Sequence, residues 1–463
     1  MKEEHRLIKN TGLIAIGNLS TKLVSFFLLP LYTALLTTSE YGTVDYIISI
    51  STFCVPFATM LMDESMFRYL IDAKNDAERR SIISVAIKVT GGGILIVTCI
   101  CGLIYLFTKK NIVLVFLMYM VSSVITTLFS AFLRGIGRTD WYALYNCVTG
   151  ILNVLLNVTL IAVFRLGVYG MLFAFILAQT SVALFTALKI KVWRFIDFKI
   201  AGNYREMLRY SIPMIPNSIS WSIINLSDRI VIMNVLGAGF SGLYAVAYKF
   251  PTLMDTVYGF FYQSWKESSA RALAQGNSNE FFQKIFVHLI NFLFAIVILM
   301  TAFMPIIFRI VINHRYYEGI YCVPILLYAT FFSNLSGFFG GVFTAHKNTW
   351  ILGTTTIWSA IINLGLNIVL IKALGIYAAA LATLLSSIFI YWYRRIKVKS
   401  MVKLSYPKTS LIGNIVVSLV ILGLFLVQNV PAIISSCMIA VVYAILLNRR
   451  MIKMVIDEFK LRF

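Results

Sequence analysis

Three basic residues lie deep inside stretches that are otherwise apolar: Lys22, Arg229 and Lys249. A charge at the centre of a bilayer costs about 2.5 to 3.5 kcal/mol on insertion scales, so such residues usually face a wet cavity. Lysine ammonium groups and arginine forks both bind phosphate oxygens. The three cations outnumber Asp255, the one deep carboxylate, unless Asp228 also turns inward. They therefore predict a site for an anion such as a pyrophosphate group.

Polar side chains around these cations recur at helical spacing and form stripes on otherwise apolar helices. A shift of 200 positions superposes the stripe around Lys22 on the stripe that precedes Arg229. We predict that the stripes line a shared cavity, in which Asp228 and Asp255 are candidates for ion coupling. The candidate substrate-binding residues are Lys22, Arg229, Lys249, Asn18, Ser25, Asn225, Trp221, Tyr244 and Tyr248.

Each candidate has a simpler structural alternative. Arg229 either faces the cavity or pairs with a neighbouring carboxylate near the membrane surface. Asp255 is either a proton site or the partner of Lys249. Trp221 and the tyrosines either pack helices or stack on sugar rings. Asp45 lies nearer a helix end, where an anchoring role is the expectation.

The composition places most of the chain inside a membrane. Of the 463 residues, 59% are hydrophobic and 13% charged, and mean hydropathy is +0.85. One water-soluble shell cannot cover so much apolar surface. Runs of about 20 apolar residues, each long enough to span the hydrocarbon, follow one another. We predict an all-α fold with about fourteen spans: 11–36, 41–63, 82–108, 112–134, 139–163, 167–188, 207–236, 240–266, 282–304, 322–345, 349–372, 375–393, 409–427 and 430–448.

The net charge of +21 follows the loops rather than forming a nucleic-acid surface. With a cytoplasmic amino terminus, about 30 of the 40 Lys and Arg residues fall on the inner side. The distribution predicts cytoplasmic N and C termini and excludes nucleic acid as a partner. The first span lacks the pattern of a cleaved signal peptide and is expected to remain in the membrane.

An internal repeat predicts two lobes. Asn153 and Asn157 are echoed by Asn363 and Asn367, each pair followed by an apolar run and Gly-x-Tyr. Residues 1–195 are the predicted N-lobe with spans 1 to 6, residues 196–398 the C-lobe with spans 7 to 12, and residues 399–463 an extra helix pair with a basic tail. We expect the asparagine pairs to hydrogen-bond between helices. Transporters often carry such repeats, with the substrate site between the copies.

No catalytic or metal-binding constellation is evident in the sequence. The six cysteines are scattered without a C-x-x-C pair, and the four histidines are isolated. Outer loops are too short to fold as domains. We therefore expect a transporter without cofactor or metal rather than an enzyme, although a membrane enzyme of polysaccharide assembly is a further class to be tested.

The stretch IPNSISWSIINLSDRIVIMNVLGAGFSGLYAVAYKFP, with Asp228, Arg229, Gly242, Tyr244 and Tyr248, resembles the polysaccharide repeat-unit flippases of the multidrug/oligosaccharidyl-lipid/polysaccharide exporter (MOP) superfamily. The amino-terminal GNLSTKLVSFFLLPLYTALLTTSEYGTVDY agrees with them. These proteins share a fold with MATE drug exporters, and the similarity covers essentially the whole chain.

The resemblance implies a flippase that moves an undecaprenyl-pyrophosphate-linked oligosaccharide to the outer leaflet by alternating access, driven by an H⁺ or Na⁺ gradient if it is ion-coupled. It implies a multi-pass protein of the bacterial plasma membrane, expected to be a monomer, working with lipid-linked oligosaccharide, membrane lipids, a polysaccharide polymerase and other assembly proteins. In fourteen-helix members the last pair helps to form a groove for the lipid tail. Lipid II flippases typically carry an Arg-Asp pair where this chain has Lys22, and MATE exporters typically have twelve helices; these are the alternatives.

Overall fold

A computed structural model describes residues 26–197, 204–274, 278–346, 348 and 350–462. Every regular element in these ranges is a helix. The chain divides into two compact units, Met1–Arg229 (unit 1) and Ile230–Phe463 (unit 2). The predicted all-helical membrane fold is confirmed.

Unit 1 consists of long apolar helices joined by short turns. A π-helical segment, Val158–Val163, directly continues α6, and a 3₁₀ turn, Val192–Phe195, follows α7. The last helix, α9, crosses the boundary between the units. The helices are α1 Leu29–Leu35, α2 Thr38–Thr59, α3 Met62–Asp72, α4 Asp76–Thr108, α5 Ile112–Gly135, α6 Thr139–Asn157, α7 Gly167–Ile190, α8 Tyr204–Ser211 and α9 Ile215–Val235.

Unit 2 begins with a helix of 37 residues, the longest in the described ranges. A 3₁₀ segment, His314–Tyr321, joins its second and third helices. The helices are α10 Ala238–Ala274, α11 Ser278–Val311, α12 Cys322–Ala345, α13 Trp350–Leu374, α14 Ile376–Val398, α15 Lys408–Val427 and α16 Val430–Arg462. The last two are the predicted extra pair.

Ten of the described helices are long and apolar enough to cross a membrane, or eleven when the bent pair α2–α3 is counted as one span. Predicted spans 3 to 6 and 9 to 14 each coincide with one of these ten. Predicted spans 7 and 8 are helical as α9 and α10, but their polar stripes keep them below the apolarity of the others. Span 1 lies mostly outside the described residues, so the count of fourteen stays a prediction.

Predicted span 2, residues 41–63, is interrupted in the structure between α2 and α3. The chain bends by 51° between α2 and α3. Met60 and Leu61 both take left-handed backbone conformations, with φ of 50° and 51°. A Cβ on Gly93 of α4 would overlap the carbonyl oxygen of Ala58, so α4 packs directly on the backbone just before the bend. Asp63 consequently lies in the first turn of a new helix, α3.

The repeated asparagine pairs differ in their hydrogen bonds. In unit 1 the Nδ2 of Asn157 donates to the backbone oxygen and to the Oδ1 of Asn153, each at 2.8 Å, within one helix. The expectation of bonds between helices is wrong for this copy. In unit 2 Asn363 donates to Thr383 of α14 at 3.1 Å, and Asn367 donates to Asn363 at 3.4 Å. The second copy therefore joins α13 to α14.

Candidate functional site

The sharpest candidate from the sequence, Lys22, lies outside the described residues together with Asn18 and Ser25. Their roles stay predictions. The remaining candidates divide between α9, whose described candidates fall in unit 1, and α10 of unit 2.

Arg229 on α9 forms an ion pair with Asp45 on α2. Its Nε donates to the carboxylate oxygen of Asp45 at 2.7 Å. The two side chains are only 11% and 13% exposed. A charge-assisted hydrogen bond of this length, largely shielded from water, holds α9 to α2 within unit 1. The adjacent Asp228 is also buried, at 1% exposure.

This pair bears on two expectations from the sequence. Arg229 pairs with a carboxylate, as one of its two alternatives has it, and the partner is the largely shielded Asp45, which the comparison of the deep cations with Asp255 did not count. The available signal was the polar stripe on span 2, which includes Asp45. Sequence spacing alone could not show that this stripe meets α9, because the contact joins residues 184 positions apart.

The other α9 candidates differ in exposure. Trp221 is 39% exposed, which leaves part of its indole available for contact. Asn225 is on the same helix, and its side chain lies outside the described part of the structure. The ring of Trp221 is a surface on which a sugar or a lipid chain can lie.

The α10 candidates fall into one buried and three accessible positions. Tyr244 is fully buried and packs against Tyr248, with ring centroids 5.9 Å apart. Its ring therefore packs inside unit 2. Tyr248 and Lys249 are half-buried, and Asp255 is exposed near the middle of the helix. Among these four residues, the half-buried and exposed ones are those that a ligand can reach.

A buried cation that the sequence did not single out lies on α14. Arg394 is 3% exposed, and its guanidinium donates only to neutral oxygens. Nε bonds the hydroxyl of Thr355 at 2.9 Å, and Nη2 bonds the hydroxyl of Thr356 at 3.1 Å. Backbone oxygens of Ser336 and Leu352 accept at 3.2 and 3.3 Å. The sequence gives little signal for Arg394, because it stands next to other cations, Arg395 and Lys397, at the end of its span.

Unit 2 contains an aromatic cleft of about 430 Å³ between α11, α12, α14 and α15. Arg395, in the last turn of α14, borders the cleft and stands over the ring of Phe286 at 5.5 Å. An apolar, aromatic wall can bind a hydrocarbon chain, and the guanidinium beside it can bind an anionic group. The lining includes Ile290, Phe294, Tyr328, Phe332, Trp392 and Leu411.

The helix that closes this cleft is fixed by a chain of hydrogen bonds. Tyr406, in the loop before α15, donates to Asn291 at 2.6 Å and accepts from Asn414 at 3.1 Å. Tyr443 of α16 donates to Asn414 at 2.8 Å. Burial raises the pKa of Tyr406, so its phenol stays protonated and keeps donating. The extra pair is therefore built into unit 2.

Comparisons with known structures give the fold. The lipid II flippase MurJ in an inward closed conformation superposes with a TM-score of 0.71 at 15% identity, covering 95% of this chain and 99% of that one. An inward-facing multidrug MATE transporter of the MOP superfamily gives 0.68 at 15% identity, covering 83% and 98%. A MOP superfamily transporter from Pyrococcus furiosus gives 0.55 at 16%, covering 85% and 95%.

Sequence comparisons give the family. An uncharacterized membrane protein of Methanocaldococcus jannaschii is 28% identical over 291 residues, which are 56% of this chain and 66% of that protein. This chain thus matches just under two thirds of that relative's length. A family model described as "Polysaccharide biosynthesis protein" matches residues 7–265. Because this match covers more than half of the chain, the protein belongs to the polysaccharide biosynthesis protein family, with the fold of the MOP superfamily transporters.

Proposed function

We propose that the protein is a flippase that moves an undecaprenyl-pyrophosphate-linked oligosaccharide repeat unit from the cytoplasmic to the outer leaflet, for capsule, exopolysaccharide or O-antigen synthesis. The observation that carries this proposal is the unit 2 cleft, which combines an apolar aromatic wall with Arg395, a cation on the side that the charge distribution predicts to be cytoplasmic. This is the chemistry of a lipid with a hydrocarbon tail and an anionic head. Membership of a polysaccharide biosynthesis family supports the sugar cargo.

The pyrophosphate needs cations along its path, and we assign this role to Lys22, Lys249 and Arg229. Asp45 pairs with Arg229 in the structure, and the two lysines add flexible ammonium groups that suit phosphate oxygens. Arg229 then acts by exchanging its carboxylate partner for phosphate oxygens. Trp221 and Tyr248, which are partly exposed, are suited to stack on sugar rings.

The tail part of the proposal is tested by narrowing the cleft. Leu411 lines the cleft, whereas its neighbour Ile412 is 61% exposed on the same helix. In proteoliposomes that contain a fluorescent lipid-linked oligosaccharide, Leu411→Trp should slow flipping strongly, and Ile412→Trp should leave the rate near that of the wild type. Equal rates for the two variants, at equal protein levels, would remove the cleft from the transport path.

The head part of the proposal is tested in cells. Lys22→Ala should abolish surface polysaccharide at unchanged protein level, and Lys22→Arg should be milder because the charge is kept. Normal polymer in Lys22→Ala would refute a cationic site at this position. Asp228 and Asp255 are our candidates for coupling to H⁺ or Na⁺, and unchanged transport by Asp255→Asn at every pH would exclude Asp255 as the proton carrier.

Lipid II is the second candidate cargo, and one observation favours it. The similarity to the lipid II flippase covers 95% of the chain, which leaves too few residues for the extra helix pair to lie wholly outside the match. Rescue of a strain depleted of its lipid II flippase separates the two cargoes. Rescue would assign lipid II, and failure together with loss of surface polysaccharide on deletion would assign the repeat unit. A drug exporter would instead change toxin resistance.

A further inference from the structure

Unit 1 contains a second apolar cleft, of about 260 Å³, bordered by α3, α4, α5 and the turn after α7. Seven of its eleven lining residues have a counterpart in the lining of the unit 2 cleft at one constant separation, 203 positions. Ile87 corresponds to Ile290 and Phe129 to Phe332. The two clefts are therefore repeat-related copies of one structural feature.

The copies differ in what covers them. In unit 2, α15 contributes to the wall, and Phe294 projects from α11. In unit 1 the residue equivalent to Phe294 is Gly91, and a Cβ placed there would meet nothing within 4 Å. No helix equivalent to α15 borders this cleft in the described part of unit 1. The unit 2 cleft therefore has a wall formed by α15, whereas the unit 1 cleft is open on the side of Gly91.

The length of the cleft matches one leaflet. Its lining on α4 runs from Ile83 to Ile94. At 1.5 Å per residue this is about 16 Å, or roughly half of the 30 Å hydrocarbon core. A cleft of this length fits one acyl chain of a phospholipid. An undecaprenyl chain is longer than the thickness of one leaflet.

At the end of the cleft near Val192, which the charge distribution predicts to be cytoplasmic, the charges favour an anionic head group. Val192, which borders the cleft, occupies the position equivalent to Arg395 in unit 2 and is flanked by the exposed cations Lys191 and Arg194. The turn is fixed there by Phe195, whose ring meets that of Phe132 at 5.5 Å. Half-buried Lys88 adds a third cation and Asp197 one carboxylate nearby, so the local charge remains positive.

We propose that the α4–α5 cleft of unit 1 is a binding site for an anionic phospholipid of the inner leaflet, with one acyl chain along Ile87 and Gly91 and its phosphate at Lys191 and Arg194. The site is separate from the transport cargo. It makes anionic phospholipid a bound component of the protein rather than only its solvent.

Binding of the acyl chain is tested by introducing at Gly91 the phenylalanine that stands at the equivalent position of unit 2. Full-length protein is placed in phosphatidylcholine nanodiscs that contain phosphatidylglycerol with a photoactivatable acyl chain, and labelled peptides are identified by mass spectrometry. Gly91→Phe should reduce labelling of α4 and α5 about tenfold, which corresponds to 1.4 kcal/mol. Gly92→Phe is the control, since Gly92 is also open but does not border the cleft. Equal labelling of the two variants would overturn the proposal.

The head-group step needs its own variants. Replacing Lys191 and Arg194 with glutamine should lower phosphatidylglycerol labelling and leave labelling by photoactivatable phosphatidylcholine unchanged. Replacing Lys109 and Lys110, at the other end of α4, is the matched control. Equal labelling of wild type by the two lipids would overturn the anionic site. Displacement of the label by an equal mole fraction of undecaprenyl phosphate would assign a prenyl chain instead, and crosslinking of a second polypeptide at Leu95 would assign a partner helix.

Discussion

Two buried arginines, one in each unit, are stabilised in opposite ways. Arg229 is paired with the carboxylate of Asp45 at 2.7 Å. Arg394 is surrounded by hydroxyl and carbonyl oxygens, and no carboxylate pairs with it in the described ranges. The first guanidinium bonds an oppositely charged group, whereas the second bonds neutral oxygens inside unit 2.

The difference indicates different uses for the two cations. The guanidinium of an ion pair can change its partner, because an incoming anion can replace the carboxylate. The guanidinium of Arg394, on α14, donates to oxygens of α12 and α13 and so links three helices at one point. We therefore expect Arg394 to matter for stability and the pair of Arg229 and Asp45 to matter for both stability and transport.

The largest expected effect is at Arg394. Arg394→Lys keeps the charge but cannot match the planar fork, and losing about two charge-assisted hydrogen bonds should lower the free energy of unfolding by about 3 kcal/mol. Arg395→Lys, one residue away at a half-buried position, should change it little. Reversible unfolding in mixed micelles measures both. Equal stability of the two variants would show that the neutral oxygens do not hold the guanidinium.

The ion pair should give a smaller loss that a second mutation partly reverses. Asp45→Asn leaves the largely buried Arg229 without its carboxylate, which should cost about 2 kcal/mol, and Arg229→Gln should cost a similar amount. The double variant should lose less than the sum, because no unpaired charge remains. A double-mutant cycle by the same unfolding method gives the coupling. Strict additivity would mean that the two side chains do not interact in the membrane.

The smallest effect isolates one neutral acceptor of Arg394. Thr355→Val removes the hydroxyl that accepts from Nε at 2.9 Å and should cost about 1.5 kcal/mol. Thr354→Val is its control, since the hydroxyl of Thr354 bonds only the backbone of its own helix. If Thr354→Val were the more damaging of the two, helix propensity rather than the bond to Arg394 would explain the loss.

The elements were predictable from the sequence, but most contacts between them were not. Apolar runs located the helices from α4 to α7 and from α11 to α16, because hydrocarbon thickness fixes their length. The polar stripes correctly singled out α9 and α10 as less apolar. The pairing of Asp45 with Arg229 depends on how two helices are rotated against each other, which periodicity alone does not determine.

The internal repeat shows again that the sequence predicts local features but not the contacts between helices. The lining residues of the two clefts are related by 203 positions, close to the shifts of 200 and 210 positions at which the sequence itself repeats. Which elements form the wall of each cleft depends on Gly91 against Phe294 and on α15. The asparagine pairs, identical in type, bond differently because only α14 brings a threonine, Thr383, to its pair.

The bend between α2 and α3 stores backbone strain in unit 1. Two consecutive non-glycine residues in left-handed geometry, Met60 and Leu61, cost roughly 1 to 2 kcal/mol each, so a straight helix has the cheaper backbone. Contact of Gly93 with Ala58 holds the angle. The hydroxyl of Ser65 on α3 donates to the backbone oxygen of Met207 on α8 at 3.1 Å, so α3 is connected directly to α8. Straightening the chain between α2 and α3 would therefore displace α8 through this bond.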